Sequence, residues 1–104
     1  MANTFKRYTS TGIGTSATTV YTVPSNKTAI VIGFNISNVT TGQVNADLQT
    51  AGMYLVKNVP LPANAGLSPL DGKIVLETGD TVIVTSTVAS SVDAIISVME
   101  QDNV

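Results

Sequence analysis

The chain has 104 residues and a mass of 10.8 kDa, which is the size of one domain and argues against an enzyme with a separate cofactor domain. It contains no cysteine and no histidine, which excludes disulfides, thiolate nucleophiles, imidazole bases and zinc sites built from these residues. Charged residues are only 12% of the chain and the net charge is −2, so there is no electrostatic footprint for nucleic acid.

The composition favours strands over helices. The chain contains 15 Thr, 14 Val and 8 Ile, so residues branched at Cβ fill over a third of it, and such residues favour pleated strands. No window shows the apolar period of an amphipathic helix. The sequence therefore predicts an all-β protein of short strands joined by turns.

Residues 1–17 are predicted to form an N-terminal arm, flexible or bound to a partner, ahead of a β-sandwich domain over residues 18–104. Within the arm, TSTGIGTSAT has two glycines and many hydroxyl side chains, which favours a flexible loop. It lacks the lysine and the following helix of a phosphate-binding loop, so we interpret it as a linker.

The arm also carries an aromatic and basic cluster. Phe5, Lys6, Arg7 and Tyr8 include two of the five basic residues and two of the five aromatic residues, a density typical of a contact with a partner. These four residues are the candidate partner contact. The alternative is an ordinary first strand whose Phe5 and Tyr8 pack on the sandwich.

The first part of the domain predicts two strands. Residues 18–23 alternate weakly and stop at Pro24, and KTAIVIGFNISN follows as a clear strand. Its alternation predicts one face made of Ile30, Ile32, Phe34 and Ile36. Because Ala29 and Val31 make the first half apolar on the other face too, this strand lies under a cover or meets another subunit.

The middle of the chain predicts two more strands. Residues 44–49 alternate between apolar and polar side chains, which indicates a half-exposed strand. The turn at residues 51–52 leads to the next strand over residues 53–59. After it, Pro60 and Pro62 predict a loop, because proline is excluded from central strands.

The last third predicts an edge segment, a hairpin and a final strand. Residues 67–70 contain Pro69 and form at best an edge strand before a turn at residues 71–72. Residues 73–76 and 81–87 flank the turn ETGD, a connection of hairpin length with a glycine for positive φ. In the last strand one face carries Val92, Ala94, Ile96 and Val98, and the other carries Asp93, Ile95, Ser97 and Met99.

These elements predict a single β-sandwich, jelly-roll or Ig-like, of seven to nine short antiparallel strands. Apolar strand faces combined with low charge leave a free monomer poorly protected against association, so an assembly partner is expected. A symmetric homo-oligomer is the commonest solution, with a trimer favoured. No signal peptide or membrane segment is expected, and the chain is expected to fold as a soluble cytosolic protein.

Other motifs are interpreted as structural. Glu77 and Asp80 are three residues apart on a turn, and no calcium-loop pattern surrounds them, so a solvated turn is favoured. Asn26, Asn35 and Asn38 match the glycosylation sequon, and no glycan is expected because no signal peptide is present. The sequence predicts no catalytic residue, no cofactor and no metal site.

Four strings carry a resemblance to a known group of proteins: SNKTAIVIGFNISN, YLVKNVPLPAN, LDGKIVLETGDTVIVTS and SSVDAIISVME. They resemble small virion structural proteins of tailed phages from cyanobacteria and other aquatic bacteria. The likeness covers residues 20–101. It implies a particle component without catalysis, a jelly-roll or Ig-like module on the capsid, neck, tail or baseplate. It transfers no functional residues, because the matching positions are core and turn positions.

The leading hypothesis is a non-enzymatic capsid decoration or cement protein that contacts the major capsid protein or other virion proteins. It would be assembled in the host bacterial cytoplasm and reside in the virion, without contacts to nucleic acid or membrane. A neck, tail or baseplate component is the second hypothesis. A carbohydrate-binding module is more remote, because the chain has no Trp to stack on sugar rings.

Overall fold

The computed structural model describes residues 3–68 and 73–103, which form two antiparallel sheets packed face to face. Within these residues there are nine strands and no helix, so no helix in the described part could cross a membrane. The strands are β1 (Asn3–Ile13), β2 (Thr18–Thr22), β3 (Lys27–Asn38), β4 (Val44–Thr50), β5 (Met53–Leu61), β6 (Gly66–Leu67), β7 (Ile74–Leu76), β8 (Thr81–Ser86) and β9 (Val92–Asp102).

The strand order is that of a jelly roll. Sheet I has the order β1-β9-β3, with β6 and β7 both paired to the far side of β3, and sheet II has the order β2-β8-β4-β5. The first strand pairs with the last, β1 with β9, and the pairing continues inward along the chain with β2 and β8, then β3 with β7 and β6, then β4 and β5. This is the pairing of one long hairpin folded over into two sheets. The predicted β-sandwich is therefore confirmed, and its connectivity is the jelly-roll one.

The core lies between the two sheets and follows the alternation in the sequence. The alternation predicted for β4 and β9 is confirmed, since every second residue of each is buried, and in β9 the buried face is that of Val92, Ala94, Ile96 and Val98. The most fully buried apolar side chains come from six strands and the turn after β2: Ile13, Val23, Val31, Ile36, Leu48, Leu61, Val82, Val84, Val92, Ile96 and Val98. They form one continuous cluster, so the described part has a single core.

The predicted face of β3 was wrong in its first half. The register between β3 and β9 shifts between Val31 and Gly33, which is a β-bulge at Ile32. The bulge exchanges the two faces, so Val31 and Phe34 both point into the core although they are three residues apart. Ile32 consequently lies on the outside, and its side chain is exposed.

The predicted hairpin around the ETGD turn was also wrong, although the turn itself is present. β7 pairs with β3 in sheet I, whereas β8 pairs with β2 and β4 in sheet II. The connection is thus an arch from one sheet to the other. Gly79 adopts φ 88°, and the Asp80 carboxylate accepts a hydrogen bond of 2.9 Å from the Glu77 amide, which closes the turn. Turn length alone did not distinguish an arch from a hairpin.

Three smaller expectations are settled by the strand bounds. The loop predicted for TSTGIGTSAT begins only after Ile13, because Thr9 to Ile13 belong to β1. Pro60 lies within β5 rather than in a loop, and an edge strand tolerates a residue without an amide hydrogen. Of the edge segment predicted over residues 67–70, Leu67 belongs to β6, and Pro69 and the predicted turn at residues 71–72 lie outside the described residues.

Asn38 joins three segments at one end of the sandwich. Its buried side-chain amide donates to the carbonyl oxygens of Gly42, Leu61 and Pro62 at 2.8 to 3.1 Å. Its Oδ1 accepts from the amide and the hydroxyl of Thr40 at 2.9 and 2.7 Å. This occupied, buried nitrogen explains physically why the sequon at Asn38 is unsuited to a glycan.

Replacement of Asn38 is expected to destabilise the fold. Asn38→Ala leaves buried carbonyls without donors and should lower the free energy of unfolding by about 2–4 kcal/mol. Urea denaturation followed by circular dichroism measures this change. Asn3→Ala, at an exposed position of β1, is the control and should change stability by less than about 0.5 kcal/mol. Equal effects of the two variants would contradict the anchoring role of Asn38.

Candidate interaction surface

The outer face of sheet I carries a row of apolar side chains across four strands. The registers place Phe5 of β1 beside Met99 of β9, Met99 beside Ile30 of β3, and Ile30 beside Val75 of β7. We call this row the apolar band. Phe5 is 73% exposed and Val75 is 65% exposed, whereas Met99 and Ile30 are half-buried between them.

Two further apolar side chains extend this surface. Ile32 projects from the bulge in β3 next to the band, and Ile95 lies farther along β9, both of them exposed. Half of the eight large apolar side chains that are exposed in the described residues thus belong to this one face. Single exposed apolar residues are ordinary, but a contiguous group on one face indicates an interaction surface.

The outer face of sheet II is different. Its outward positions on β2, β8 and β4 carry hydroxyl, amide and carboxylate side chains, with half-buried Ile83 as the apolar exception. The polar ones are Thr19, Thr22, Thr81, Thr85, Asn45, Asp47 and Gln49. The outer face of sheet II is therefore polar on β2, β8 and β4, with exposed Tyr54 on its edge strand β5, whereas the apolar side chains of sheet I form a row across four strands.

The four residues of the candidate partner contact are divided between the two sides of β1. Phe5 and Arg7 pair with Met99 and Ser97 and point outward, onto the surface that carries the band. Lys6 and Tyr8 point inward, towards Glu100. The alternative was a first strand whose Phe5 and Tyr8 both pack on the sandwich. Tyr8 packs in this way, whereas Phe5 is exposed. A contact of Phe5 and Arg7 with a partner stays a prediction.

Glu100 is a fully buried carboxylate on the inner face of β9. Its Oε2 accepts a hydrogen bond of 2.6 Å from the Tyr21 hydroxyl and a longer one of 3.5 Å from the Tyr8 hydroxyl. The Lys6 ammonium lies 3.4 Å from Oε1, which accepts no hydrogen bond from the described residues. A buried carboxylate is strongly destabilising unless it is compensated, so these three side chains compensate it.

This cluster connects the two sheets. Tyr21 belongs to β2 of sheet II, whereas Glu100 and Tyr8 belong to sheet I. The Tyr8 and Tyr21 rings also pack with their centroids 4.9 Å apart. Burial, followed by the hydrogen bond to Glu100, raises the pKa of Tyr21 well above its usual value, so its hydroxyl remains a proton donor. The cluster acts structurally, by fixing β1 and β2 to β9.

Sequence reasoning did not single out Glu100, although a signal exists. The inward alternation of Val92, Ala94, Ile96 and Val98 continues to Glu100, which places a carboxylate at a core position. A charge at such a position predicts a compensating partner elsewhere in the chain. The partners come from β1 and β2, far away in sequence, and could not be identified from spacing alone.

The outer face of sheet I also contains a shallow hollow of about 210 Å³. It is lined by Thr9, Thr11, Asn35, Ser37, Asp93, Ala94 and Ile95. The lining consists of five short polar side chains and two apolar residues, Ala94 and Ile95, and it contains no cluster of titratable groups. Among the described residues no group of three or more Asp or Glu side chains is placed to hold a metal ion.

Comparisons with known proteins concern the fold. No protein-family model matches the sequence, and no curated protein matches it. A chain from Bacillus endospore appendages, which are described as a novel family of disulfide-linked pili, has a similar structure with a TM-score of 0.56 at 15% sequence identity. The match covers 97% of this chain and 87% of that chain. The neighbour is bacterial and not from a phage, and at this identity the likeness shows the fold alone.

Removal of the Tyr21 hydroxyl should destabilise the protein. Tyr21→Phe takes away the short hydrogen bond to Glu100 and should lower the free energy of unfolding by about 1.5–3 kcal/mol, the range for hydrogen bonds to charged groups. Tyr54→Phe, on the exposed side of β5, is the matched control and should have little effect. Chemical denaturation of both variants measures the difference, and equal stability of Tyr21→Phe and wild type would refute the role of this bond.

Alkaline pH should weaken the wild-type fold through Tyr21. Its pKa is raised in the folded state, so above the unfolded value of about 10 the folded chain retains a proton that the unfolded chain loses. This contribution to stability is complete below pH about 10 and declines above it by up to about 1.4 kcal/mol per pH unit. Urea unfolding from about pH 9 to 11 should show a steeper decline for wild type than for Tyr21→Phe, and parallel curves would contradict the prediction.

Proposed function

We propose that this protein is a non-enzymatic structural subunit of a phage virion, and that it decorates the capsid. The observation that carries the proposal is the apolar band on one face of a sandwich whose other face is polar on β2, β8 and β4. Such a polarity difference fits a module that docks by one side and exposes the other to water. The low charge of the chain agrees with this, since charged residues make up only 12% of it.

The resemblance to phage virion proteins supports the virion assignment. Three of the four strings include β3, β7 and β9, which lie side by side in sheet I and supply Ile30, Val75 and Met99 of the apolar band. The resemblance therefore includes three strands of the sheet with the candidate interaction surface, in addition to β5 and β8 of sheet II. The N-terminal strand, which lies outside the resemblance, adds Phe5 at one end of the band.

The mechanism in this proposal is mechanical. Each copy would bury its apolar surface against a neighbour and add a small free energy to the particle. Many weak contacts on a repeating lattice reinforce one another, because release of one copy leaves the others bound. No covalent chemistry is needed, and the buried Glu100 cluster serves to keep β1 in place.

A filament subunit is the second candidate, and the structural neighbour favours it. That neighbour belongs to disulfide-linked pili and shares the fold over 97% of this chain. The 104 residues here contain no cysteine, so a filament of this chain would be held by non-covalent contacts alone. An apolar band on one face suits such contacts as well as it suits a capsid lattice.

Copy number in purified particles tests the proposal. Quantitative mass spectrometry of virions should find this chain at an abundance close to that of the major shell protein, because decoration follows the shell lattice. A small fraction of that abundance would contradict decoration and indicate a neck, tail or baseplate location. Absence from virions would refute the virion assignment, and electron microscopy of the purified chain would then test for filaments.

Particle stability tests the mechanism separately. Addition of the purified protein to particles that lack it should raise the temperature at which they rupture. Heat-denatured protein at the same concentration is the control for non-specific effects. An unchanged rupture temperature, together with saturating binding, would show that the protein decorates particles without stabilising them.

A further inference from the structure

We propose that the apolar band binds a second copy of this chain, and that two copies pack through the outer faces of their sheets I. None of the described residues covers the band, and Phe5 and Val75 at its two ends are its most exposed members. The inference concerns the purified chain and does not depend on a virion. It adds to the proposed function by naming a partner for the surface.

The charge on this face suits contact with an identical face. The outward side chains of β1, β9 and β3 include one cation, Arg7, and one anion, Asp93. The rest are apolar, hydroxyl, amide or glycine residues. A face with one charge of each sign can meet its own copy without a net repulsion, whereas a strongly charged partner would gain nothing from it.

The order of side chains along the band is complementary to itself. Consider a two-fold axis that lies parallel to the strands, between β9 and β3. It reverses the order of strands in the second copy, but each row of side chains that runs across the strands still faces the same row of the second copy. Phe5 then faces Val75 of the second copy, and Met99 faces Ile30 of the second copy. The largest side chain meets the smallest, and Ser97 and Gly33 in the next row leave room for close approach.

A second two-fold arrangement exists, but the relative contributions of ion pairs and apolar burial to the affinity favour the first. An axis across the strands near Ile95 would bring Arg7 of each copy near Asp93 of the other. Exposed ion pairs of this kind change affinity by less than about 10-fold, whereas burial of a single Val or Phe side chain changes it by about 10- to 100-fold. Band against band is therefore the arrangement we infer.

The size of the face is sufficient for a weak dimer. From Asp93 to Gln101 the strand β9 spans about 27 Å, and four strands are about 19 Å wide, which gives a projected area of about 500 Å² per copy. Two such faces bury about 1,000 Å², the lower limit for a specific interface. This predicts a dissociation constant in the micromolar range or weaker.

Sedimentation velocity of the full chain over about 1 µM to 1 mM tests the inference, a range chosen for weak association. We expect a monomer–dimer equilibrium in wild type. Val75→Lys and Phe5→Lys should each weaken it by more than about 10-fold, because every substitution occurs twice in a two-fold dimer. Met53→Lys is the matched control, since Met53 is 58% exposed but lies on β5 of sheet II, and it should leave the equilibrium unchanged.

Three results would overturn the inference. They are a wild-type monomer at every concentration, a trimer that persists in Val75→Lys, and equal weakening by Val75→Lys and Met53→Lys. A trimer is the oligomer that the sequence favours, and it needs two different surfaces on each copy, so the experiment separates the two symmetries. If the dimer is not found, the predicted copy number in virions is unaffected, so failure of this inference is distinguishable from failure of the proposed function.

Cross-linking gives a second test that is independent of the lysine variants. The chain has no cysteine, so a single introduced thiol reports on its own surroundings. Ser97→Cys, next to the proposed axis, should give a cross-linked dimer with a short bismaleimide. Thr85→Cys, in the middle of the outer face of sheet II, should remain a monomer on a denaturing gel. The reverse pattern, or no cross-link from Ser97→Cys, would refute the arrangement.

Discussion

The compensation of one buried carboxylate determines how β1 lies on this sandwich. Glu100 is fully buried, and Lys6 and Tyr8 of β1 approach it from the same sheet while Tyr21 approaches it from the other. Successive side chains of a strand point to opposite faces, so a strand that directs Lys6 inward must direct Phe5 outward. The need to compensate the buried Glu100 thus places Phe5 on the outer surface at this edge of the sheet.

A second local feature completes the same surface from the middle of the sheet. The bulge at Ile32 keeps Val31 and Phe34 in the core and leaves Ile30 and Ile32 outside. Without the extra residue, the second half of β3 would present its polar side chains to the core. The apolar exterior of sheet I is therefore a consequence of how the core is filled, and the polar outward side chains of β2, β8 and β4 show that it is not a general property of the strands.

The sequence was most informative where side chains alternate without interruption. The alternation of β4 and β9 was predicted correctly. Both faces of the first half of β3 were predicted to be apolar, and its inner face is covered by sheet II, whereas a cover on its outer face stays a prediction. The bulge at Ile32, the arch between β7 and β8, and the partners of Glu100 were not predictable. Each depends on which strands become neighbours in space, and a short-range pattern contains no information about that choice.

The position of β9 has a consequence for the order of folding. This strand, the last of the nine, lies between β1 and β3, so sheet I has no centre until it has been synthesised. Contacts that join distant parts of a chain form slowly, because a large loop must close before they add any stability. During synthesis β3 therefore stays unpaired on that side until some fifty further residues have been added and β9 follows.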